Sequence, residues 1–442
     1  MGSSPGFRLL DMDRTQWTVL FAAWLGWGFD VFDGLLFNYV APTCVPTLLG
    51  IPLGTPEARS ATLFWGGLLT SVLLVGWAVG GIAFGRLADR IGRTRTLMLT
   101  MLVYSIGTAA CAFAPNIGVL LLCRLVASLG IGGEWAAGAS MVAEVVPEHR
   151  RVEAGALLYT SAPAGLFLAS FLNYQIAGVA FAGQPEVAWR YVFLCGLIPA
   201  GVAFAVRLMI KEPARWVAMS AVQVGLADLF TPTMRRATFS GFSMALVCLV
   251  MWWSCNAFIP TVASGLAAAE AVRRGWVGAE ATGLVEAWKA TATNMFNLGG
   301  LIGTLLTIPA AKYAGRRSMF GLYFLGSAAA IAAAFGLPLE PEARLYMYFP
   351  IGVFVFGVFG SFTYYLPELF PTRLRATGAG FCYNAGRVIA AGGPLLVGTI
   401  ASRGADALTA ASSVLFAVAL VPVAGLLLLP WIIETRDLVL QD

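Results

Sequence analysis

Twelve long apolar segments make up most of this 442-residue chain. An α-helix needs about 20 apolar residues to cross the hydrocarbon core of a bilayer, where the backbone must satisfy its own hydrogen bonds. The sequence therefore predicts an all-α integral membrane protein with twelve transmembrane helices. We expect them near residues 17–41, 62–85, 96–114, 117–142, 153–180, 189–210, 239–266, 289–312, 317–337, 344–366, 376–400 and 409–433.

The composition excludes a water-soluble globule. Hydrophobic residues make up 59% of the chain and charged residues 12%, with a mean hydropathy of +0.79. The seven cysteines are scattered and the single histidine, His149, lies in a charged loop, so no metal site is expected. The sequence has no metalloprotease, serine-elbow or nucleotide-loop motif, which argues against an enzyme. The 13 tryptophans and 29 phenylalanines are expected mainly at lipid-facing and interfacial positions.

Basic residues predict the orientation of the chain. With the N-terminus inside, 19 Lys or Arg fall on the inner side and 7 on the outer side, and 2 lie within the spans. Cytoplasmic loops are enriched in these residues, so we expect both termini in the cytoplasm and a location in the plasma or inner membrane. The net charge of +5 follows this topology, so the expected surroundings are the lipid bilayer and no nucleic acid. Residues 211–238 are the predicted cytoplasmic linker between domains 1–210 and 239–442.

An internal repeat relates the two halves. Glu144-Val-Val-Pro-Glu-His-Arg-Arg151 after span 4 matches Glu368-Leu-Phe-Pro-Thr-Arg-Leu-Arg375 after span 10, with a shift of 224 residues. The same shift relates Tyr159 to Tyr383. Duplicated units with a site at their interface are typical of secondary transporters. The sequence therefore predicts two pseudo-symmetric six-helix bundles.

Several short motifs resemble the major facilitator superfamily. The charged island at 85–95, GRLADRIGRTR, is predicted as a tight turn and is similar to the superfamily's signature between spans 2 and 3. Glu212-Pro-Ala-Arg-Trp216 and the segment 367–375 are similar to the sugar-porter and organic-ion branches. Span 1, with Asp30 and Asp33, resembles the sialate, aromatic-acid and organic-anion proton symporters. Lys312 departs from the pattern, since it stands where Asp89 would map, and the Gly-Pro signature of antiporters is absent from span 5.

The resemblance implies that the loop charges form a cytoplasmic gate. Carboxylates facing guanidinium groups can hold the inner ends of the halves together in one state and part in the other. The alternative is a set of positive-inside loops with incidental surface pairs of little energetic value. The expected gate residues are Gly85, Asp89, Arg90, Gly92, Arg93, Glu144, Arg151, Glu368 and Arg375.

Ionisable residues inside the spans are expected to carry the coupling chemistry, because each is costly in lipid. The candidates are Asp30, Asp33, Arg124, Glu134 and Arg387, of which Glu134 is interpreted as structural. At about 1.5 Å rise per residue, Asp33, Arg124 and Arg387 lie at similar depth and could meet in one cavity. The resemblance implies Asp33 as the proton carrier beside Arg124, with Asp30 as the alternate. A static Asp33 to Arg124 ion pair that only locks helices remains the alternative.

Arg387 is the candidate anion-binding residue, because no acid lies near it in its own span. Tyr383 and Asn384 precede it by four and three residues and share its helix face. Asn38, Asn294 and Asn297 are further candidates for substrate hydrogen bonds, or alternatively for satisfied contacts between helices.

Together these residues predict a proton-coupled symporter of a small organic anion, such as a carboxylate, an aromatic acid or an acidic sugar. Transport would proceed by alternating access, with the proton as the coupling ion. We expect no organic cofactor and a monomeric protein. The alternatives are a neutral-sugar or organic-cation transporter, or a transport-inactive sensor.

Overall fold

A computed structural model shows twelve helical segments among the residues that it describes. It describes residues 12–91, 93–132, 142, 145–207, 225–371, 374–404 and 406–436. Several segments are built from consecutive helical pieces with short 3-10 or π-helical turns between them. They are α1 Arg14–Leu49, α2 Pro56–Ile91, α3 Arg93–Cys111, α4 Ile117–Ile131, α5 Arg151–Ala180, α6 185–207, α7 Arg235–Arg274, α8 Gly278–Pro309, α9 Arg316–Gly336, α10 Pro341–Glu368, α11 Thr377–Ser402 and α12 Ala407–Trp431.

Eight of these segments are long and apolar enough to span a membrane, counting only the described part of the chain. The other four are α3 and α4, which are shorter, α6, which is assembled from pieces, and α8, which carries charges. No strand occurs among the described residues. The all-α prediction is confirmed.

Several predicted helix ends are wrong by one to three turns. Helix α1 continues to Leu49, eight residues past the predicted end, and stops where Gly50 adopts a φ of 70°. Its start is fixed by a capping box in which Asp13 accepts from the backbone of Gln16 and Gln16 accepts in return. Helix α8 begins at Gly278 instead of 289, because Lys289 lies within the helix and does not mark its end.

The charged island at 85–95 is largely helical, which corrects the predicted turn. The backbone is helical through Ile91 and again from Arg93. Only position 92 lies between the two helices, and Gly92 falls outside the described residues. Helix α7 begins at Arg235, inside the predicted linker 211–238, of which residues 211–224 are not described.

Close helix contacts at glycine hold the two bundles, α1–α6 and α7–α12, together. A Cβ on Gly67 of α2 would lie 2.4 Å from the carbonyl oxygen of Pro394 in α11. Within the first bundle, a Cβ on Gly165 of α5 would lie 2.1 Å from the carbonyl oxygen of Gly28 in α1. Helices α5 and α8 form the second seam between the bundles.

Because twelve segments return the chain to its starting side, we call the side with Arg14 and Trp431 the terminal face and the other the distal face.

Candidate functional site

An aromatic cage lies between the two bundles, midway along their helices. Helix α1 contributes Trp27, Val31 and Leu35, which recur every four residues and so form one stripe along the helix. The enclosed cavity measures about 20 Å³, which is room for roughly one water molecule. The aromatic side chains of the cage are Trp27, Trp77, Tyr159, Trp252, Trp253, Phe356, Phe359 and Tyr383. The expectation that the tryptophans lie mainly at lipid-facing positions is wrong for these four, each of which is at most 6% exposed.

Arg387 lies in the wall of this cage and is 2% exposed. The carbon of its guanidinium is 4.2 Å from the ring centroid of Trp77 and 4.8 Å from that of Tyr383. Its Nη1 donates to Asn384 Oδ1 at 3.1 Å, and its Nε has no hydrogen-bond partner among the described residues. The same residues give Arg387 no ion pair within 4.0 Å. The guanidinium of Arg387 is therefore buried with its planar face stacked on two aromatic rings. Its Nε–H group lacks a hydrogen-bond acceptor among the described residues.

Asp30 and Asp33 are both fully buried but face different surroundings. Asp33 accepts a hydrogen bond from Thr108 Oγ1 of α3 at 2.7 Å, inside the first bundle. Asp30 lies close enough to Arg387 to interact with it electrostatically. Helical geometry explains why Asp33 points away from the cage. It lies about 200° around α1 from Val31, a residue that lines the cage.

Arg124 also lies inside the first bundle. Its guanidinium donates to the main-chain carbonyls of Asp33 and Gly34 and lies 5.7 Å from the ring centroid of Phe37. It forms no direct ion pair with the Asp33 carboxylate. The structure thus brings Arg124 to Asp33 but not to Arg387, so the three residues do not meet in one cavity in this state. Glu134 falls outside the described residues.

Tyr159 and Tyr383, the pair related by the internal repeat, meet across the two bundles. Their side chains interact electrostatically with each other and with Arg387. Tyr159 also stacks on Phe359 with 6.1 Å between centroids. The internal repeat is therefore visible at the cage itself.

The candidate asparagines divide between the cage and its surroundings. Asn384 touches the cage through Arg387. Asn297 interacts with the hydroxyl of Tyr39, which lies beyond the cage towards the distal face. Asn38 and Asn294 line neither the cage nor the distal cavity described below.

The terminal face carries a salt bridge between the bundles that the sequence did not single out. Lys312, just after α8, pairs with Glu153 at the start of α5, and Glu153 also pairs with Arg150 at 3.2 Å. Beside it, a Cβ on Gly155 would lie 2.5 Å from Thr363 Oγ1. These contacts join the two bundles on this face.

The predicted gate residues are partly described. Arg151, Glu368 and Arg375 line one small cavity between the bundles on the terminal face. Glu368 forms its ion pair with Arg316 at 2.8 Å, inside the second bundle, and not with Arg375. The backbone at Gly85 is helical. Gly92, Glu144 and the side chains of Asp89, Arg90 and Arg93 lie outside the described residues.

Glu434 ties the end of the chain to the start of α9 on the same face. Partial burial alone would raise the pKa of its carboxyl, but hydrogen bonds from the backbone N–H groups of Arg316, Arg317 and Arg436 hold the pKa below its ordinary value. The distances from the first two nitrogens to its oxygens are 2.8 and 2.9 Å. Glu434 therefore serves as the anion at a helix N-terminus.

A larger cavity of about 530 Å³ lies between the bundles at the distal face. Pro42 and Thr43 of α1, Arg59 of α2, Thr261 of α7 and Glu286 of α8 are among its lining residues. Its size is within the range of small-molecule sites, whereas the cage is nearly filled by its own side chains. Of the three cavities described between the bundles, only the distal one is large enough for a small molecule.

Glu286 and Lys289 form a buried ion pair that sequence reasoning missed. Each is 1% exposed, and their charged atoms are 2.6 Å apart. The sequence could have indicated this pair, because opposite charges three residues apart lie next to each other on a helix.

Two six-helix bundles with a buried site at their interface have the architecture of a secondary membrane transporter rather than of an enzyme. The sequence profile of the Major Facilitator Superfamily matches residues 17–394. The chain belongs to this superfamily, which confirms the resemblance found in its motifs.

Comparisons with known proteins agree with this assignment to the superfamily. The chain is 27% identical over 436 residues to a probable 4-methylmuconolactone transporter of Cupriavidus pinatubonensis, covering 97% of this chain and 92% of that protein. It is 27% identical to a gentisate transporter of Corynebacterium glutamicum, covering 86% of this chain and 81% of that protein. The solved structure of a D-xylose-proton symporter superposes with a TM-score of 0.71 at 18% identity, covering 96% of this chain and 99% of that one. This last likeness shows the fold alone.

Proposed function

We propose that this protein is a proton-coupled symporter of a small carboxylate with a flat, unsaturated body, such as an aromatic acid. The observation that carries the proposal is Arg387, a buried guanidinium without an ion pair among the described residues, set into an aromatic cage between the bundles. A guanidinium binds a carboxylate through two parallel hydrogen bonds, and aromatic walls favour a planar ligand. The names of two relatives, which give 4-methylmuconolactone and gentisate as their cargo, support an organic acid.

The cage must widen before it can hold such a ligand. Its cavity of about 20 Å³ is too small for any organic acid, so binding has to be coupled to movement of the cage rings. Those rings come from both bundles, and separating them is part of the rocking motion of alternating access. Substrate binding and conformational change therefore act on the same residues.

Asp30 offers a physical reason for coupling to protons. An ionised Asp30 carboxylate competes with an incoming anion for the field of Arg387. A proton on Asp30 removes that competition, so proton and anion bind together more readily than either binds alone. Asp33, held by Thr108 and next to Arg124, is the second candidate carrier. The coupling ion is the proton, and no organic cofactor takes part.

The excess of basic residues on the terminal face favours cytoplasmic termini in the plasma or inner membrane. Both bundles and the whole cage come from one chain, which favours a monomer as the transporting unit. Its proposed partners are the lipid bilayer and the small substrate, with no nucleic acid.

Uptake into proteoliposomes with an imposed pH gradient tests the proposal. Benzoate and gentisate probe carboxylates, D-xylose probes neutral sugars and tetraethylammonium probes organic cations. We expect accumulation of a carboxylate that collapses when a protonophore is added. Transport of the sugar or the cation alone would contradict the anion assignment, and accumulation unaffected by the protonophore would contradict proton coupling.

Separate variants test the carrier. Asp30→Asn is expected to abolish gradient-driven accumulation while leaving substrate counterflow, because exchange needs no net proton movement. Asp33→Asn is the parallel variant. Accumulation that persists in both variants would show that neither aspartate carries the proton.

A further inference from the structure

The buried pair Glu286 and Lys289 lies at the boundary between the aromatic cage and the distal cavity. On α1, Leu35 lines the cage, Tyr39 follows one turn later and Thr43 lines the distal cavity. On α8, Phe296 stacks on the cage residue Phe356 with 5.3 Å between centroids, whereas Glu286 lines the distal cavity. Tyr39 and Lys289 meet between these two levels.

The hydrogen bonds of the pair cross from one bundle to the other. Lys289 Nζ donates to the main-chain carbonyl of Tyr39 at 2.7 Å, and Asn173 Nδ2 of α5 donates to Glu286 Oε2 at 2.6 Å. One turn deeper, the hydroxyls of Ser170 and Thr293 are 3.1 Å apart. Three contacts at successive depths thus join α8 to α1 and α5. We call Tyr39, Asn173, Glu286 and Lys289 the distal latch.

We propose that the distal latch closes the path between the cage and the distal face, and that Glu286 and Lys289 are positioning residues for the opening step. The inference rests on the alternating access of the proposed function. Because both charges lie on one helix, they stay paired when the bundles separate. Opening therefore breaks the hydrogen bonds across the bundles but leaves neither charge alone in an apolar interior.

This arrangement makes the latch reversible. Separating a buried ion pair whose partners lie on different bundles would leave two unpaired charges, which is strongly unfavourable. Here the bonds to Tyr39 and Asn173 are replaced by bonds to water from the distal cavity, which Glu286 already lines. The net cost of such an exchange is modest, because a protein hydrogen bond is traded for a hydrated one.

Distance measurements on spin-labelled protein test the latch without any substrate. Glu57→Cys on the first bundle and Val277→Cys on the second place labels at exposed positions near the distal face. The two partly exposed native cysteines, Cys123 and Cys195, are changed to serine. Electron–electron double resonance then reports the separation of the bundles.

Asn173→Leu removes the donor to Glu286 while leaving the ion pair intact. We expect the equilibrium to shift by about tenfold towards longer label distances, the effect of losing one hydrogen bond to a charged group. Thr291→Val is the matched control, because the Thr291 hydroxyl bonds only within α8, to the carbonyl of Ala287. Its distance distribution should equal that of the parent protein.

Exchanging the two charges distinguishes a latch between the bundles from an ion pair that only stabilises α8. The double variant Glu286→Lys with Lys289→Glu keeps an i, i+3 pair but sets a carboxylate against the carbonyl of Tyr39, where both groups are acceptors. We expect the same shift to longer distances. Unchanged distances in the folded charge-exchange protein and in Asn173→Leu would overturn the proposal.

Transport kinetics give an independent readout. A weaker latch raises the population open to the distal face, so the KM for uptake from that side should fall, while the maximal rate falls because return is slower. A merely structural defect would lower the rate without improving KM. If the parent protein carries no carboxylate, the proposed function fails, whereas the distance measurements still decide the latch.

Discussion

Replacing Arg387 with lysine tests the substrate site most directly. Lysine keeps the positive charge but loses the planar fork and its stacking between Trp77 and Tyr383. The stacking holds the guanidinium in place in the free and the bound protein alike, so it orients the fork but adds nothing directly to binding. Lysine loses one of the two parallel hydrogen bonds to the carboxylate, and a hydrogen bond to a charged group contributes about 1.5–3 kcal/mol. We therefore expect a rise in Kd of about 10-fold to 150-fold.

Equilibrium binding of radiolabelled carboxylate to purified protein measures this change. Arg403→Lys is the control, because Arg403 is an exposed arginine at the end of α11. Its Kd should stay within about twofold of the parent value, since exposed charges contribute little. A Kd for Arg387→Lys within about threefold of the parent would remove Arg387 from the binding site and refute the reasoning from stacking and fork geometry.

Two further substitutions test the contacts between the bundles. Gly67→Ala should abolish transport or destabilise the protein, because its Cβ would meet the carbonyl oxygen of Pro394 at 2.4 Å, whereas Gly66→Ala, with no atom within 4 Å, should be silent in both uptake and thermal unfolding. Glu153→Gln should shift the protein towards opening at the terminal face by less than about 1 kcal/mol, because Lys312 is 36% exposed. Increased protease or thiol-reagent access from that face measures the shift, and equal access in the variant would contradict a gating role for this pair.

The fold was predictable because its signals are long and repeated. Apolar segments of about 20 residues predict membrane helices regardless of tertiary detail. The match of Glu144–Arg151 to Glu368–Arg375 at one constant shift predicts the duplication. Helix ends were less predictable, since Lys289 inside α8 looked like a boundary until the structure showed Glu286 beside it.

The site was predictable only in part. Arg387 was identifiable because an arginine within an apolar span is energetically costly and therefore indicates a functional site. The aromatic residues around it come from six helices, so their convergence depends on packing that no local pattern records. Only the stripe of Trp27, Val31 and Leu35 was visible in the sequence, and an apolar stripe on a membrane helix is equally typical of contact with lipid.

The contact between Tyr159 and Tyr383 also bears on how the cage arose. Where two identical subunits meet on a twofold axis, a residue on the axis touches its own copy. Tyr159 and Tyr383 occupy matching positions 224 residues apart and touch each other at the cage. In a homodimer of separate six-helix chains, a single codon would have supplied both rings. Fusion of the two copies into one chain lets each position change alone, so a cage that is symmetric by descent is free to become asymmetric.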